Sequence, residues 1–498
     1  MKIIQAVLLL SVSLAASAQP ALTIYNQNYA VVRDTVPLNL KSGVNQVNYS
    51  DATAHLEPDT VILRDPTGRH DFQILEQNYR NDPVSQDLLL SLCEGRTIGF
   101  QVVSPTTGEV EKVIEGKIVR TGYVPHYSAM GQYGEDYQQA QMNLAQSTEP
   151  IIEVNGEMQF GLPGKPLFPD LGNNTILKPA LDWTIQSDSD GKFDAEIGYL
   201  SEGFSWEADY NLVSPEKGDD VDLIGWVTLD NQSGKTFENA KIKLMAGDVN
   251  RVQSPQPMVM REAMMDMAAG KAYQPPVSEK AFDEFHLYTL DNPTTLRDRE
   301  TKQVEFVHAE GIKSKTIYVY DGADLSQYGG WDYGSIRNNP GYGTQSNKKV
   351  WVMRKFVNSK TNHLGIALPK GKLRFYRRDD DGQLEFVGED EIDHTPADET
   401  IRVNTGNAFD VVGERKQTNY NIDENNHRAD ESFEIKLRNH KKEPVTVRVV
   451  EHLYRWNNWD ITAHSDDFTK TDSQTIEFNV QVQPDVEKTV TYTAHYSW

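Results

Sequence analysis

The sequence predicts an all-β, multidomain β-sandwich protein with a C-terminal immunoglobulin-like domain and only short helices. Three observations favour this class. Apolar and polar residues alternate with a period of two in many stretches, as in strands that bury one face. Turn residues separate these stretches at short intervals, which is typical of a sandwich. Strands and helices do not alternate regularly along the sequence, so the pattern does not indicate a parallel α/β sheet.

The first 18 residues have the pattern of a secretory signal peptide. Lys2 precedes an apolar run from Ile3 to Ala16, and Ala16-Ser17-Ala18 has the small residues of a cleavage site. The run is short for a bilayer span, and no later segment is long and apolar enough for one. We therefore expect a protein that does not span the membrane and is periplasmic or secreted after cleavage near Ala18. A retained N-terminal anchor is the alternative.

The composition narrows the classes of partner. The 498 residues include 49 Lys and Arg against 73 Asp and Glu, which gives a formal net charge of -24. Nucleic acids and anionic lipids select for basic surfaces, so we expect neither as a partner. The single cysteine, Cys93, excludes an intramolecular disulfide, so stability must come from buried cores.

An N-terminal β-domain with one short helix is predicted at 19–150. Its first strands lie at 22–25 and 29–32, and the helix is expected to begin at Asp82 as the N-cap and to end at Gly95. Residues 131–150 are polar and predict a helix or a mobile insertion.

A central β-sandwich is predicted at 151–347. Trp206, Ala208, Tyr210 and Leu212 alternate with polar residues along one of its strands. A long Pro- and Met-rich loop at 251–282 interrupts the pattern, and a second loop, rich in Gly, Asn and Tyr, follows at 327–346.

The chain returns to strands at 285–320. In FHLYTL, residues 285–290, Phe285, Leu287 and Thr289 alternate with His286, Tyr288 and Leu290, which predicts a strand with one buried face. A polar connection at 291–302 leads to further strands, so this block brings the chain back into the sandwich.

The C-terminal β region, 348–498, is predicted to end in an immunoglobulin-like sandwich at about 410–498. The turn Asp379-Asp-Asp-Gly382 joins two strands into a hairpin. Farther on, Ile476, Phe478, Val480 and Val482 alternate strictly with polar residues.

Several segments resemble a known family of secreted bacterial proteins. They include EPDTVILRDPTGR (57–69), residues 76–98 and 160–179, WEADYNLV (206–213), residues 225–249 and the block 285–320. These resemble secreted β-rich proteins that carry the C-terminal domain of unknown function of the mucoidy-inhibitor-type family. The resemblance implies an exported β-rich fold without an assigned catalytic centre. Longer relatives carry an N-terminal coiled coil, for which this chain lacks heptads. The residues taken as the family signature are His286, Tyr288, Asp291, Pro293, Thr295, Leu296 and Lys302.

Two groups of residues suggest a metal ion, although no cofactor is predicted. Five thioethers, which suit Cu(I), fall close together: Met258, Met260, Met264, Met265 and Met267. An adaptable apolar contact loop explains them as well. Two acidic turns could bind calcium, but Asp-Gly turns are also ordinary hairpin chemistry. Their carboxylates are Asp188, Asp190, Asp194, Asp379, Asp380 and Asp381.

No catalytic residue is predicted. Ser233-Gly-Lys-Thr236 ends like a phosphate-binding loop, but Leu229 stands where that motif needs its first glycine. Zinc-protease and serine-hydrolase motifs are missing. His286 and His308 lie on predicted strands, where a hydrogen-bonded structural histidine is the expectation.

The sequence therefore favours an exported, envelope-associated interaction or scaffolding protein over an enzyme. It would bind an envelope protein or a glycan through the loops 251–282 and 327–346. The alternatives are a hydrolase that acts on carbohydrate or peptidoglycan and periplasmic copper handling through the Met-rich loop. The oligomeric state is left open.

Overall fold

A computed structural model describes residues 19–80, 84–104, 106–122, 149–169, 178–247, 249–251, 277–282 and 285–498. Within these ranges the chain forms thirty β-strands and two short α-helices. The predicted all-β class is therefore confirmed. In the same ranges no helix is long and apolar enough to cross a membrane.

The strands are numbered in chain order. The first ten are β1 (Ala21–Tyr25), β2 (Tyr29–Leu40), β3 (Gly43–Tyr49), β4 (Ile62–Arg64), β5 (Phe72–Arg80), β6 (Thr97–Val103), β7 (Val110–Arg120), β8 (Ile151–Val154), β9 (Glu157–Phe160) and β10 (Lys165–Leu167). The next ten are β11 (Ala180–Ser187), β12 (Gly191–Glu202), β13 (Phe204–Ser214), β14 (Val221–Asn231), β15 (Phe237–Ala246), β16 (Val277–Phe282), β17 (Phe285–Leu290), β18 (Thr294–Leu296), β19 (Glu300–Ile312) and β20 (Ser314–Asp321). The last ten are β21 (Lys349–Val357), β22 (Gly371–Arg378), β23 (Leu384–Ile392), β24 (Thr400–Asp423), β25 (Arg428–Asn439), β26 (Val445–His452), β27 (Trp459–His464), β28 (Phe468–Lys470), β29 (Thr475–Val482) and β30 (Val486–Ser497). The helices are α1 (Gln86–Leu92) and α2 (Tyr333–Asn338).

The chain divides into two compact units. Unit 1 comprises residues 1–205, 230–243 and 292–302, and unit 2 comprises 206–229, 244–291 and 303–498. The strands β13, β14, β15 and β19 run from one unit into the other. The domain boundaries proposed from the sequence stay a prediction.

Unit 1 contains three antiparallel groups of strands. In the first, β12 pairs along all twelve of its residues with β2, and β1 and β4 continue the order β1-β2-β12-β4. The second is the three-stranded sheet β3-β11-β5, and the third is the five-stranded sheet β10-β6-β7-β8-β9. Trp183 on β11 is fully buried, as alternation along that strand requires.

The helix α1 covers one face of the five-stranded sheet. Leu90 and Cys93 pack there against Phe100 and Ile118, all fully or almost fully buried. The N-cap is Ser85, whose hydroxyl accepts a hydrogen bond from the backbone N–H of Leu88 at 3.2 Å. The predicted cap at Asp82 is therefore wrong by three residues, because a serine hydroxyl satisfies the first turn further along the chain.

Unit 2 contains a five-stranded sheet with the order β19-β14-β13-β22-β23. Its β22–β23 hairpin confirms the predicted turn, which closes with a hydrogen bond from the N–H of Asp379 to the carbonyl of Gln383 at 2.8 Å. Two strand pairs of this unit are parallel, β13 with β22 and β20 with β26. The period-two pattern predicts strands but not the direction of their partners.

The nine-stranded sheet of unit 2 has the order β27-β30-β25-β24-β21-β20-β26-β29-β28. Strands far apart in this order face each other, since the rings of Phe478 on β29 and Tyr492 on β30 lie 5.9 Å apart. The sheet thus encloses one core of alternating residues from both halves.

The strand β17 departs from the predicted single buried face. Leu287 and its neighbour Tyr288 are both buried, although they point to opposite sides of the strand. The Tyr288 hydroxyl reaches an acceptor inside unit 2, the carbonyl of Ala367, at 3.0 Å. A tyrosine can be buried on the second face because its polar end is satisfied there.

Candidate functional site

Residues 322–348 join β20 to β21 and are called the cap loop. They contain the predicted contact loop 327–346. The cap loop is folded locally around α2, whose N-cap is Asp332. The Asp332 carboxylate accepts hydrogen bonds from the backbone N–H groups of Gly334 at 2.8 Å and Ser335 at 3.1 Å. The Gly- and Asn-rich composition therefore encodes turns and a cap rather than an unstructured excursion.

Aromatic rings pack together within the cap loop. The ring centroids of Tyr328 and Tyr342 lie 4.8 Å apart, and the Trp331 ring lies 5.3 Å from that of Tyr328. Tyr342 also contacts Tyr454, which follows β26, with 5.9 Å between the centroids. This small aromatic core joins the cap loop to the end of β26.

Arg455 fixes the backbone of the cap loop by hydrogen bonds to its carbonyl groups. Its side chain is 1% exposed, and its Nη1 donates to the carbonyls of Ile336 and Asn339 at 2.7 Å each. Its Nη2 donates to the carbonyl of Tyr342 at 3.1 Å and to Glu431 at 2.7 Å. One buried guanidinium therefore satisfies three loop carbonyls and one carboxylate, which is a use that only the planar Arg fork allows.

Arg415 makes a second anchor. Its Nε lies 2.9 Å from both oxygens of Glu451, and its Nη1 donates to the carbonyl of Gly343 at 2.7 Å. The Tyr492 hydroxyl donates to the same carboxylate at 2.6 Å. Burial alone would lower the pKa of Arg415, but the neighbouring Glu451 charge outweighs it and raises the pKa above the ordinary range. Arg415 therefore stays charged inside the core.

A cleft of about 330 Å³ lies between the cap loop and the chain around β26 and β29. Three aromatic side chains line it, those of Tyr333, Tyr454 and Trp456. The remaining lining residues are polar or charged: His452, Arg455, Asn457, Asp472, Ser473, Gln474 and Thr475. The volume lies at the lower end of the range for small-ligand sites, ~300–1,000 Å³.

His452 is held on both sides of its ring. Its Nε2 lies 3.0 Å from Asp321, and its Nδ1 lies 3.3 Å from the Thr475 hydroxyl. The hydrogen bond to Asp321 is the main cause of a raised pKa, and together with nearby carboxylates it outweighs burial. When the ring is protonated, Nδ1 donates to Thr475.

His452 lies between a carboxylate and a hydroxyl, which is also the order in which a catalytic triad holds its imidazole. The Thr475 hydroxyl contacts Asp472 as well. His452 is therefore held in a fixed position at the wall of the cleft.

Two buried polar atoms at the cleft lack a hydrogen-bond partner among the described residues. They are the Tyr454 hydroxyl and the Nε of Arg455. Buried polar groups are normally paired, so these two atoms are exceptions.

Arg337 stiffens the aromatic rim of the cleft. Its guanidinium lies 4.7 Å from the centre of the Trp456 ring and 5.0 Å from that of Trp498. Tyr333 meets Trp456 edge to face at 6.0 Å, although Tyr333 is itself 71% exposed. Trp456 is thus held in place while its neighbour remains open to solvent.

The predicted family-signature residues do not converge on this cleft. Tyr288 and Leu296 are buried core residues, and Lys302 pairs with Glu300 at 3.3 Å. His286 pairs with Glu279 at 2.7 Å. Asp291 and Pro293 are exposed, and Thr295 accepts a hydrogen bond from the N–H of Asn239 at 3.1 Å. In the structure their roles are packing and strand connection.

The predicted metal ligands are not tested. Met258, Met260, Met264, Met265 and Met267 lie outside the described residues. In the described part of the chain no group of three His, Cys, Asp or Glu side chains is placed to hold a metal ion. In the turns, Asp190 pairs with Lys41 at 3.0 Å, and Asp379 and Asp381 make turn hydrogen bonds. Copper and calcium stay predictions.

Lys235, from the segment that resembles the end of a phosphate loop, is a structural anchor of unit 1. Its ammonium donates to Asp34 at 2.7 Å and to Asp51 at 2.6 Å, and the residue is 8% exposed. Asn231 closes the same turn through its side-chain hydrogen bond to the Lys235 carbonyl at 2.9 Å. Because two carboxylates already engage its ammonium, Lys235 is a structural residue rather than a phosphate ligand.

Sequence reasoning missed the buried charges that anchor the cap loop. The signal was present, because every second residue from Val445 is buried and this register continues through Glu451 to Arg455. Arg415 on β24 and Glu431 on β25 likewise occupy the apolar register of their strands. A charge at a core position of an alternating strand predicts a buried partner of opposite sign.

The fold defines a β-rich protein whose unit 2 carries a cleft lined by aromatic and polar side chains. The family model described as a domain of unknown function (DUF4139) matches residues 195–498. Because the match covers more than half of the chain, the chain belongs to this family. No curated protein and no solved structure gives a significant match. The resembling segments before residue 195 lie outside the matched range.

Proposed function

We propose that this protein is an exported, non-catalytic interaction protein of the cell envelope that binds its ligand in the cleft beneath the cap loop. The observation that carries the proposal is the pre-organised cleft. Arg455 lines the cleft and fixes the backbone of the cap loop, and Tyr333 of that loop lines the cleft as well. Preformed sites lose less entropy on binding than flexible loops do.

A hydrolase is the rival function, because the hydrogen bonds of His452 to Asp321 and Thr475 have the order of a catalytic triad. An enzyme of the glycosidase type would need two suitably spaced carboxylates facing the ligand. Asp472 lines the cleft, whereas Asp321 is engaged with His452. Affiliation with the mucoidy-inhibitor-type proteins and export after cleavage near Ala18 belong to the same proposal.

Photo-crosslinking capture from the native envelope tests the function. Wild-type protein is compared with Trp456→Ala, which removes a cleft wall, and with Phe409→Ala as the matched control. Phe409 is 96% exposed on β24 in the same unit and does not line the cleft. We expect captured components that are lost with Trp456→Ala and kept with Phe409→Ala. Equal capture by all three proteins would contradict the cleft as the binding site.

Export has its own test. Mass spectrometry of the protein isolated from cells should give a mature N-terminus at residue 19, and fractionation should place the protein in the periplasm or the medium. An intact N-terminus in the cytoplasmic fraction would refute this part of the proposal.

A further inference from the structure

The lining of the cleft indicates the chemical class of its ligand. None of the ten residues described as lining it has an aliphatic side chain. Peptide ligands anchor through apolar side chains that need apolar pockets. Aromatic faces with amide, hydroxyl and carboxylate groups around them instead match a ring that has an apolar face and a polar edge.

The charges of the cleft restrict the ligand further. Arg455 is paired with Glu431, and His452 with Asp321. Asp472 accepts a hydrogen bond from the N–H of Gln474 at 2.7 Å and also interacts electrostatically with His452. Two carboxylates thus face one imidazole, which disfavours an anionic ligand.

We propose that the cleft binds a saccharide that is neutral or carries an amine, with one ring against Trp456 and the ring's hydroxyl or amine groups at Asp472 and Asn457. This inference rests on the proposed function and names its ligand class. Arg337 covers one face of the Trp456 ring and fixes its orientation, so the sugar would pack against the part of the ring that lines the cleft. Asp472 and Asn457 supply acceptors and donors at the cleft wall.

Tryptophan fluorescence and calorimetric titration of the full chain test the inference. Three probes of equal length are used: an N-acetylglucosamine trimer, a glucosamine trimer and a galacturonic acid trimer. We expect the first two to bind and the acidic trimer to bind at least about tenfold more weakly, equal to about 1.4 kcal/mol. Trp456→Ala should weaken binding of both by about tenfold or more, and Phe409→Ala should leave it unchanged.

Asp472→Asn provides a second readout, because it removes the charge and keeps the shape. We expect the wild type to bind the amine-bearing trimer more tightly than the neutral trimer, because the amine lies at the Asp472 carboxylate. Asp472→Asn should remove this difference in affinity, while the neutral trimer still binds. Preferred binding of the acidic trimer, or affinities that Trp456→Ala does not change, would overturn the inference.

Failure of the saccharide and failure of the proposed function are distinguishable. If no trimer binds but Trp456→Ala still abolishes capture of an envelope protein, the saccharide assignment is refuted and the cleft stays the binding site. If neither trimer binding nor capture depends on Trp456, both are refuted.

Discussion

Replacing Glu451 by Gln should be the most damaging conservative change in unit 2. The substitution keeps the size of the side chain and removes its charge, while Arg415 stays ionised and 1% exposed. A buried charge that loses its partner costs about 3–5 kcal/mol. The Tyr492 hydroxyl can still donate to the Gln carbonyl, so the loss should come mainly from the guanidinium.

Glu414→Gln is the matched control, because Glu414 precedes Arg415 on the same strand. Its side chain is 43% exposed and pairs with Arg438, which is 28% exposed. An exposed pair of this kind contributes less than about 1 kcal/mol.

The double variant Arg415→Met with Glu451→Leu should recover most of the loss, because well-packed apolar groups often replace a buried ion pair without cost.

Urea unfolding followed by tryptophan fluorescence measures the free energy of unfolding of each variant. Hydrogen–deuterium exchange of residues 322–348 is the second readout. Glu451→Gln should speed exchange there, because Arg415 holds the Gly343 carbonyl as well as the carboxylate. A cost for Glu451→Gln below about 1 kcal/mol, equal to that of the control, would refute the reasoning.

Three further predictions concern other parts of the chain. Lys235→Met should destabilise unit 1 by about 2–3 kcal/mol in urea unfolding, somewhat below the fully buried case because one carboxylate partner is largely exposed; an unchanged midpoint would contradict its anchoring role. The raised pKa of His452 predicts a stabilisation of the folded state that is complete below pH ~6.5 and is lost as the pH rises through the folded-state pKa. The free energy of unfolding of His452→Gln should lack this pH dependence between about pH 5.5 and 8.5. Parallel pH profiles of the two proteins would show that the pKa is not raised. Gly413→Ala should cost about 2 kcal/mol because its Cβ would overlap the Tyr320 ring, whereas Gly329→Ala, with open space around it, should change stability by less than about 0.5 kcal/mol; similar midpoints would disprove this packing.

The strands could be predicted well because their signal is local. In β29, for example, the buried residues Ile476, Phe478, Val480 and Val482 are the ones that alternation places on one face. The partners of a strand are not local. The parallel pairing of β13 with β22 joins residues more than 150 positions apart, and no periodicity of either segment contains that information.

The candidate site was predicted only in part. The loop 327–346 was singled out by composition, and one of its residues, Tyr333, lines the cleft. The cleft walls, His452 and Asp472, come from strands and turns that looked ordinary. Their importance arises from proximity to the loop in space, which the sequence alone does not show. The buried charges at Arg415 and Glu451 could have been found, since a charged residue breaks the apolar register of its strand.

The pairing of β12 with β2 has a practical consequence for work on this family. The family match begins at residue 195, inside a strand whose twelve residues are all paired with residues 29–40. Lys235 also lies in the matched segment, yet both of its carboxylates precede it at 34 and 51. In a fragment expressed from residue 195, the remainder of β12 would lack its partner strand β2. The buried ammonium of Lys235 would lack both of its carboxylate partners. We therefore expect the matched segment alone to fold poorly, and recombinant production should include β2, Asp34 and Asp51.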